Sequence, residues 1–463
     1  MTISRRTVLT APLAFAALPV SRMMAAPLPR EVDIVVIGAG AAGIAAARRI
    51  KAAGRSVVVI EASPRIGGRC RTDPALFGVP FDRGARALYN PDGNPLVKLA
   101  RGNGFDIAPM ATGQKIRIGR RNARAGEAED FLTALVRANR AIDDAARGKS
   151  DVACAAALPD DLGDWAATVD FVLGASATGR DLRALSAIDR ARMRERRAAI
   201  VCRQGLGALL AKLGESVPVA SGTPATRVAW SNRDVAVETP AGKVVAHAAV
   251  VTVSTQVLAS GRIAFAPDLP KRQRDAASGL GLGSYDRIAL QLAGNPLGLG
   301  RDESLIERSK DARTALLVAN VGGSSLCTVD VAGAFGADLA AQGEDAMVAF
   351  ARDWLGGMFG SDAVATIERS FATRWNADPL IGGAMSAAAP GAAGARQILA
   401  EPFGNVFVAG EATHETLYGT VEGAWDSGEQ AADAALKKIG PAKPPPPPPQ
   451  KQRKPRAKRR HRH

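Results

Sequence analysis

Cysteine and histidine are scarce in this 463-residue chain, with four of each. Cys70, Cys154, Cys202 and Cys327 lie far apart with no C-x-x-C pair, which argues against a zinc or iron–sulfur site and against a disulfide scaffold. Of the histidines only His247 and His414 fall in the body of the chain, so no His-rich metal centre is expected. Long apolar runs are missing too. The most apolar stretch near the start, Val8 to Val20, is about 13 residues with two prolines, against the about 20 that a spanning helix needs. Acid is absent from both ends. Residues 1–26 hold Arg5, Arg6 and Arg22, and residues 441–463 hold nine Lys/Arg, with no Asp or Glu in either. The formal +15 therefore falls to +3 for residues 27–440, and a nucleic-acid partner is not expected. What remains is an ordinary globular body, 47% hydrophobic, long enough for two or three domains of roughly 150 residues.

The two ends read as an address and a tail. Ser4-Arg5-Arg6 and Leu9 precede the mildly apolar stretch, and the small residues Ala25 and Ala26 follow. This resembles a twin-arginine export signal spanning 1–26, which implies the twin-arginine machinery as a partner and a periplasmic destination after cleavage. At the other end, Pro444–Pro449 favours an extended polyproline rod, with a basic block beyond it. That tail, 441–463, reads equally as a tether to an anionic surface or as a solubilising extension.

The chemistry begins at residues 32–43, VDIVVIGAGAAG. A Val/Ile run predicts a buried strand, Gly38-x-Gly40-x-x-Gly43 opens a helix-like segment, and a second strand ends at Glu61. Strand, glycine turn, helix and an acid beyond is the context a dinucleotide fingerprint requires. Gly38 allows the turn, Gly40 lets a diphosphate approach the helix N-terminus, Gly43 allows close helix–strand contact, and Glu61 accepts from a ribose diol.

Glu61-Ala-Ser63-Pro-Arg65-Ile-Gly67-Gly68-Arg69 resembles the flavin-containing amine oxidase family. Residues 402–433 extend the likeness through Gly410-Glu411 and Thr420-Val421-Glu422-Gly423-Ala424, and a simple nicotinamide dehydrogenase is disfavoured. The resemblance spans about residues 32–435. It implies an α/β fold: a Rossmann-like FAD-binding domain of the glutathione-reductase type built from 28–89, 198–262 and 398–440, and a mixed sheet and helical substrate domain from 90–197 and 263–397. It implies FAD contacts at Gly38, Gly40, Gly43, Glu61, Ser63, Gly68, Arg69, Gly84, Ala85, Val228, Trp375, Gly410, Glu411, Thr420 and Val421. Ala384 stands where some relatives carry a flavin-linked Cys, so FAD is expected to bind non-covalently.

Residues 82–95, DRGARALYNPDGNP, are most similar to the spermine-oxidase type, through Gly93-Asn94-Pro95. Tyr89 falls where that branch places a substrate-facing His or acid, and fits an ordinary half-buried aromatic as readily. The family's Lys beside flavin N5 falls on Arg287, a fork-shaped permanent cation able to hold a water or anion. The two aromatic cage positions fall on Met385 and Thr420, so a cation–π contribution is missing. Met385 fits core packing as well as a substrate wall. The segments 127–148, with apolar spacing at Phe131, Leu132, Leu135, Val136 and Ile142, and 181–213 predict helices, which cover the substrate cavity or serve ordinary domain packing. The resemblance implies hydride transfer from the α-carbon of a small amine to FAD, with O₂ or another acceptor. A desaturase or dehydrogenase acting on a non-amine, or a non-catalytic FAD-binding protein, are the alternatives.

Overall fold

The computed structural model describes residues 28–441, except 112 and 197. The export signal and the basic tail read from the sequence lie outside the described residues, apart from residue 441.

The strand Glu31–Ile37 forms because its Val/Ile run is β-branched and buried on both faces, as an interior strand of a parallel sheet requires. It pairs in parallel with Val57–Ile60 on one side and with Gly242–Val251 on the other. Val219–Ala220 extends the sheet beyond Val57–Ile60, and Val406–Val408 joins Gly242–Val251, both in parallel. The antiparallel strands Val235–Thr239 and Arg227–Trp230 continue the other edge. Ala264–Ala266, which the sequence reading assigned to the second domain, pairs with Arg227–Trp230 and so belongs to this sheet. Strands far apart in the chain thus meet in one layer. Helices Ala41–Ala52 and Val421–Ile439 cover it, packing through small buried residues that include Ala42, Ala46, Ala431, Ala432 and Ala435.

A second sheet takes, in order, Ile367–Ala372, Tyr285–Leu292, Leu326–Ala332, Leu316–Ala319, Glu303–Glu307, Gln114–Ile118 and Arg121–Asn122. Alternation divides its faces. Ile288, Leu290 and Leu292, with Cys327, Val329 and Val331, pack on helices Gly333–Gln342 and Glu344–Phe359 through Leu339, Met347, Phe350 and Trp354. Tyr285 and Arg287 alternate to the opposite side and line a cavity.

The helix expected near 127–148 spans Ala125–Ala145. Phe131, Ala134, Ala138 and Ile142 form its buried stripe, whereas Leu132 and Val136 are 56% and 66% exposed. None of its residues lines the cavity, so it packs the domain and does not cover the substrate space. From 181–213 only Arg196 and Ala199 reach the cavity wall among the described residues.

Candidate active site

A cavity of about 670 Å³ runs from the glycine turn of the first sheet to the open face of the second. Its first wall is the turn after Glu31–Ile37. Gly38 sits at φ +101, a region costly for any side chain, and a Cβ on Gly43 would stand 1.9 Å from Gly38 O. Gly40 differs from both. Its φ of −77 and ψ of −173 suit any residue, and a Cβ there meets nothing within 4 Å. Neither the backbone nor the packing requires glycine at 40; only an occupant of the cavity does. Ala41 and Ala42, in the first turn of the helix, line the same wall, so the helix N-terminus opens on the space where an anion would rest.

Glu61 closes this end. Its Oε2 accepts from Ala39 N at 2.6 Å and its Oε1 from Ser63 N at 2.7 Å. Burial pushes its pKa up, partly opposed by those two N–H groups. A carboxylate has roughly four acceptor sites, so capacity remains for a ribose diol. Ser63 and Gly68 line the wall beside it.

Arg69 and Glu411 join the two ends of the chain. One Arg69 nitrogen, Nη1, donates to Glu411 Oε1 at 2.8 Å and to Ala384 O at 2.5 Å. Its other N–H groups have no acceptor among the described residues, and Arg69 lines the cavity, as a diphosphate ligand requires. Glu411 also accepts from Ser386 Oγ at 2.7 Å and from Gly419 N at 2.8 Å. Burial works against its charge, but Arg69, Ser386 and Arg396 outweigh it and hold the carboxyl below its ordinary value. Glu411 is thus a buried brace whose partners are mostly protein. Gly410, at φ +142, lines the cavity beside it. Gly84 threads between Arg69 O, 1.9 Å from where a Cβ would lie, and the Trp375 ring, while Ala85 N donates to Arg69 O. Trp375 is anchored by its N–H to Asp286 and its indole to Arg83 O.

Arg287 and Val228 stand differently from the sequence expectation, and Thr420 and Gly93-Asn94-Pro95 gain a local structural role. Most of the Arg287 fork is already engaged by protein acceptors. Its Nε and Nη2 donate to Asp330 at 3.1 and 3.3 Å, and its Nη1 to the carbonyls of Asp82 and Gly84. Burial opposes its charge, but Asp330 more than compensates and raises its pKa. It is a bracket for the Gly84 segment, because a five-donor fork buried against a carboxylate is drawn to every acceptor near it. Thr420 lines the cavity, but its hydroxyl is engaged: it accepts from Gly423 N at 3.0 Å as helix cap and donates to Leu417 O at 2.6 Å. Val228 does not reach the cavity. It is fully buried, and its backbone pairs with Val237 and Phe265 on both edges; Pro224, Ala225 and Thr226 line the wall instead. Gly93-Asn94-Pro95 has a local explanation: Asn94 caps helix Pro95–Gly102, accepting from Leu96 N at 3.0 Å, with Pro at the first position.

Tyr89, Met385 and Val421 do line the cavity. The sequence reading passed over Arg86, Arg196 and Glu422. Arg86 follows Gly84-Ala85 directly, and Arg196 lies in an alternating basic run, Arg190, Arg192, Arg194, Arg196. Glu422 lies under Tyr89, accepting its N–H at 3.1 Å, with Oε2 unpartnered; burial pushes its pKa up to about 7. Cys70 is the thiol on the cavity wall, and burial pushes it up to about 12, so it is protonated and offers no thiolate for a covalent link.

A family model described as flavin containing amine oxidoreductase matches residues 41–436, from the first helix through most of the last.

This chain belongs to that family.

The cofactor of this flavin amine oxidoreductase is accordingly FAD, and the open space at Gly40, the Glu61 carboxylate and the unengaged Arg69 donors fit it. The chain is 27% identical over 438 residues to lysine-specific histone demethylase 2 of Homo sapiens, covering 86% of this chain and 53% of that protein. It therefore spans about half the length of the first curated relatives it matches. It is 26% identical over 445 residues to polyamine oxidase 2 of Arabidopsis thaliana, covering 89% of each. Among solved structures, a putrescine oxidase bound to putrescine superposes with a TM-score of 0.75 at 16% identity, covering 87% of this chain and 98% of that one. Cyclohexylamine oxidase from Brevibacterium oxydans gives 0.74 at 20%, covering 88% and 99%. These likenesses carry the mixed α/β fold.

Proposed function

We propose that this chain is an FAD-dependent amine oxidase. The observation that carries the reading is one continuous cavity joining the dinucleotide cradle at Gly40 and Glu61 to a chamber floored by the second sheet. Bound FAD supplies the two-electron acceptor for hydride removal from an amine α-carbon, and O₂ then takes the electrons to give H₂O₂. The neutral amine, having lost hydride from its α-carbon, becomes an iminium ion, which releases its N–H proton to solvent as the imine, and water hydrolyses the imine to carbonyl and amine products.

The protein's part is to place the α-carbon and keep the nitrogen neutral. Leu316, Val318 and Met385 form an apolar wall that strips water from the amine. A guanidinium at Arg196 further disfavours the ammonium form. Thr420 and Val421 bring the N-terminus of helix Val421–Ile439 to the cavity, where its dipole favours negative charge. Anaerobic mixing of the flavin-loaded protein with a panel of amines tests the reading. Bleaching of the flavin band by at least one supports it, and no bleaching by any refutes it.

Within the family the motifs stand nearest the spermine-oxidase type, through Gly93-Asn94-Pro95 and Thr420. The chain is also proposed to be exported through the twin-arginine route to the periplasm. Arg5→Lys combined with Arg6→Lys should retain the protein inside the cell; unchanged export would remove that reading. The tail is proposed as a tether, and equal binding to anionic vesicles with and without residues 441–463 would refute it.

A further inference from the structure

The chamber end of the cavity carries two guanidiniums, Arg86 and Arg196, that form no ion pair among the described residues. Arg196 donates to two backbone carbonyls, Ala177 O at 3.2 Å and Tyr418 O at 3.3 Å, and lies 5.5 Å from the Tyr89 ring centroid. A Cβ on Gly419 would stand 3.2 Å from Arg196 Nη2 and 3.4 Å from Met385 Sδ, so guanidinium and thioether flank one spot next to Thr420. Arg86 has a single long hydrogen bond, 3.4 Å to Thr328 Oγ1. Both residues line the cavity, and neither forms an ion pair among the described residues.

Three nearby carboxylates, Asp330, Glu411 and Asp302, are already engaged. Asp330 takes the two-point contact of Arg287 and the hydroxyl of Tyr285 at 2.9 Å. Glu411 takes Arg69. Asp302, on the cavity wall where strands Glu303–Glu307 and Gln114–Ile118 end, accepts from Gly322 N at 2.7 Å and Arg301 Nε at 3.2 Å. Glu422, whose charged form Arg196 favours, accepts from Tyr89 N at 3.1 Å, and burial pushes its pKa up to about 7. A half-buried guanidinium without a carboxylate is a site for an anion brought from outside, since the planar fork matches a carboxylate in two-point geometry.

We infer that the substrate is an amine that also carries a carboxylate, and that Arg196 takes that carboxylate while Arg86 adds to the attractive field. The inference rests on the amine-oxidase reading. It separates this chain from relatives named for putrescine or polyamines, because a di- or polycation would meet two guanidiniums, neither of them ion-paired among the described residues. Met385, Leu316 and Val318 then face the apolar part of the substrate.

The test uses the flavin-loaded protein and matched compounds: an α-amino acid with an apolar side chain, its amide, the amine left when its carboxylate is removed, and putrescine. The carboxylate-bearing member should reduce the flavin with a kcat/KM higher by about tenfold or more, the worth of a hydrogen bond to a charged partner. Arg196→Met should erase that preference chiefly through KM, and Arg196→Lys should restore part of it. A second readout needs no turnover: benzoate should perturb the flavin absorption band in the wild type and not in Arg196→Met. Should that variant lose flavin, Arg86→Met and Arg196→Lys carry the same comparison. Preference for putrescine or for the uncharged amine would overturn the inference, as would benzoate binding that survives both Arg196 variants. If no amine reduces the flavin yet benzoate binds through Arg196, the amine-oxidase reading falls and the anion site stands. If neither occurs, both fall.

Discussion

Replacing Gly40 by alanine separates what the cofactor demands from what the fold demands. The backbone there, φ −77 and ψ −173, accepts an L-residue without strain, and the new methyl group would meet no protein atom within 4 Å. Loss of glycine entropy in the unfolded chain favours alanine by about 0.4–1 kcal/mol. The preference for glycine over alanine at a helix N-cap opposes it by a similar amount, roughly 1 kcal/mol. The flavin-free protein should therefore melt within about 2 °C of wild type. The same change at Gly43 drives a Cβ to 1.9 Å from a backbone oxygen, and should cost about 3 kcal/mol or more. For the flavin-loaded protein the order reverses. A methyl group at position 40 occupies the space of closest diphosphate approach, and overpacking a tight contact costs about 1–3 kcal/mol. Flavin affinity should fall about tenfold or more. The assay is flavin-to-protein absorbance of purified material, titration of stripped protein with FAD, and melts of both forms. Wild-type flavin content in Gly40→Ala would refute the placement of the cofactor. A flavin-free melt as low as that of Gly43→Ala would refute the reading of open space.

Glu61→Ala removes the acceptor of the Ala39 and Ser63 N–H groups and the proposed ribose contact, so flavin should be lost on gel filtration; unchanged content would exclude that contact. Arg287→Met removes the fork, leaving buried Asp330 without its two-point partner, and should destabilise by about 3–5 kcal/mol. Equal stability by thermal melt would mean Arg287 is not a bracket. Glu422 gives a pH signature. Burial raises its folded pKa from 4.5 to about 7, so the folded state holds the extra proton between those values. Its contribution is present below pH 4.5 and is lost as pH rises through 7, about 3 kcal/mol in all. Glu422→Gln should flatten the fall in melting temperature over that window, and an unchanged slope would show that Glu422 titrates normally.

The glycine turn, Glu61 and the last helix were legible in the sequence because each is a local rule. A Val/Ile run followed by spaced glycines has few conformations open to it, and a threonine before an amphipathic run caps a helix. Side-chain commitments were not legible. Arg287 looked available until Asp330, paired opposite it across neighbouring strands, was seen to engage its fork. Val228 looked like a cavity contact until both of its edges proved to be inside the sheet. Gly93-Asn94-Pro95 matched one branch of the family, and the structure gives it a local role as a helix cap. Leu132 and Val136 matched a helical period and nevertheless face solvent, because periodicity defines a stripe only to within about a residue's rotation of 100°.

The scarcity of Cys and His argued against a metal site from composition alone, and the glycine and Gly-Glu motifs in order pointed by resemblance to a flavin. Which arginines are engaged and which remain open was decided only by tertiary structure. Arg69, Arg86, Arg196 and Arg287 are identical as letters. Their roles differ because folding brings a carboxylate within hydrogen-bond reach of two of them, through chain separations of 342 and 43 residues, and leaves the other two facing the cavity.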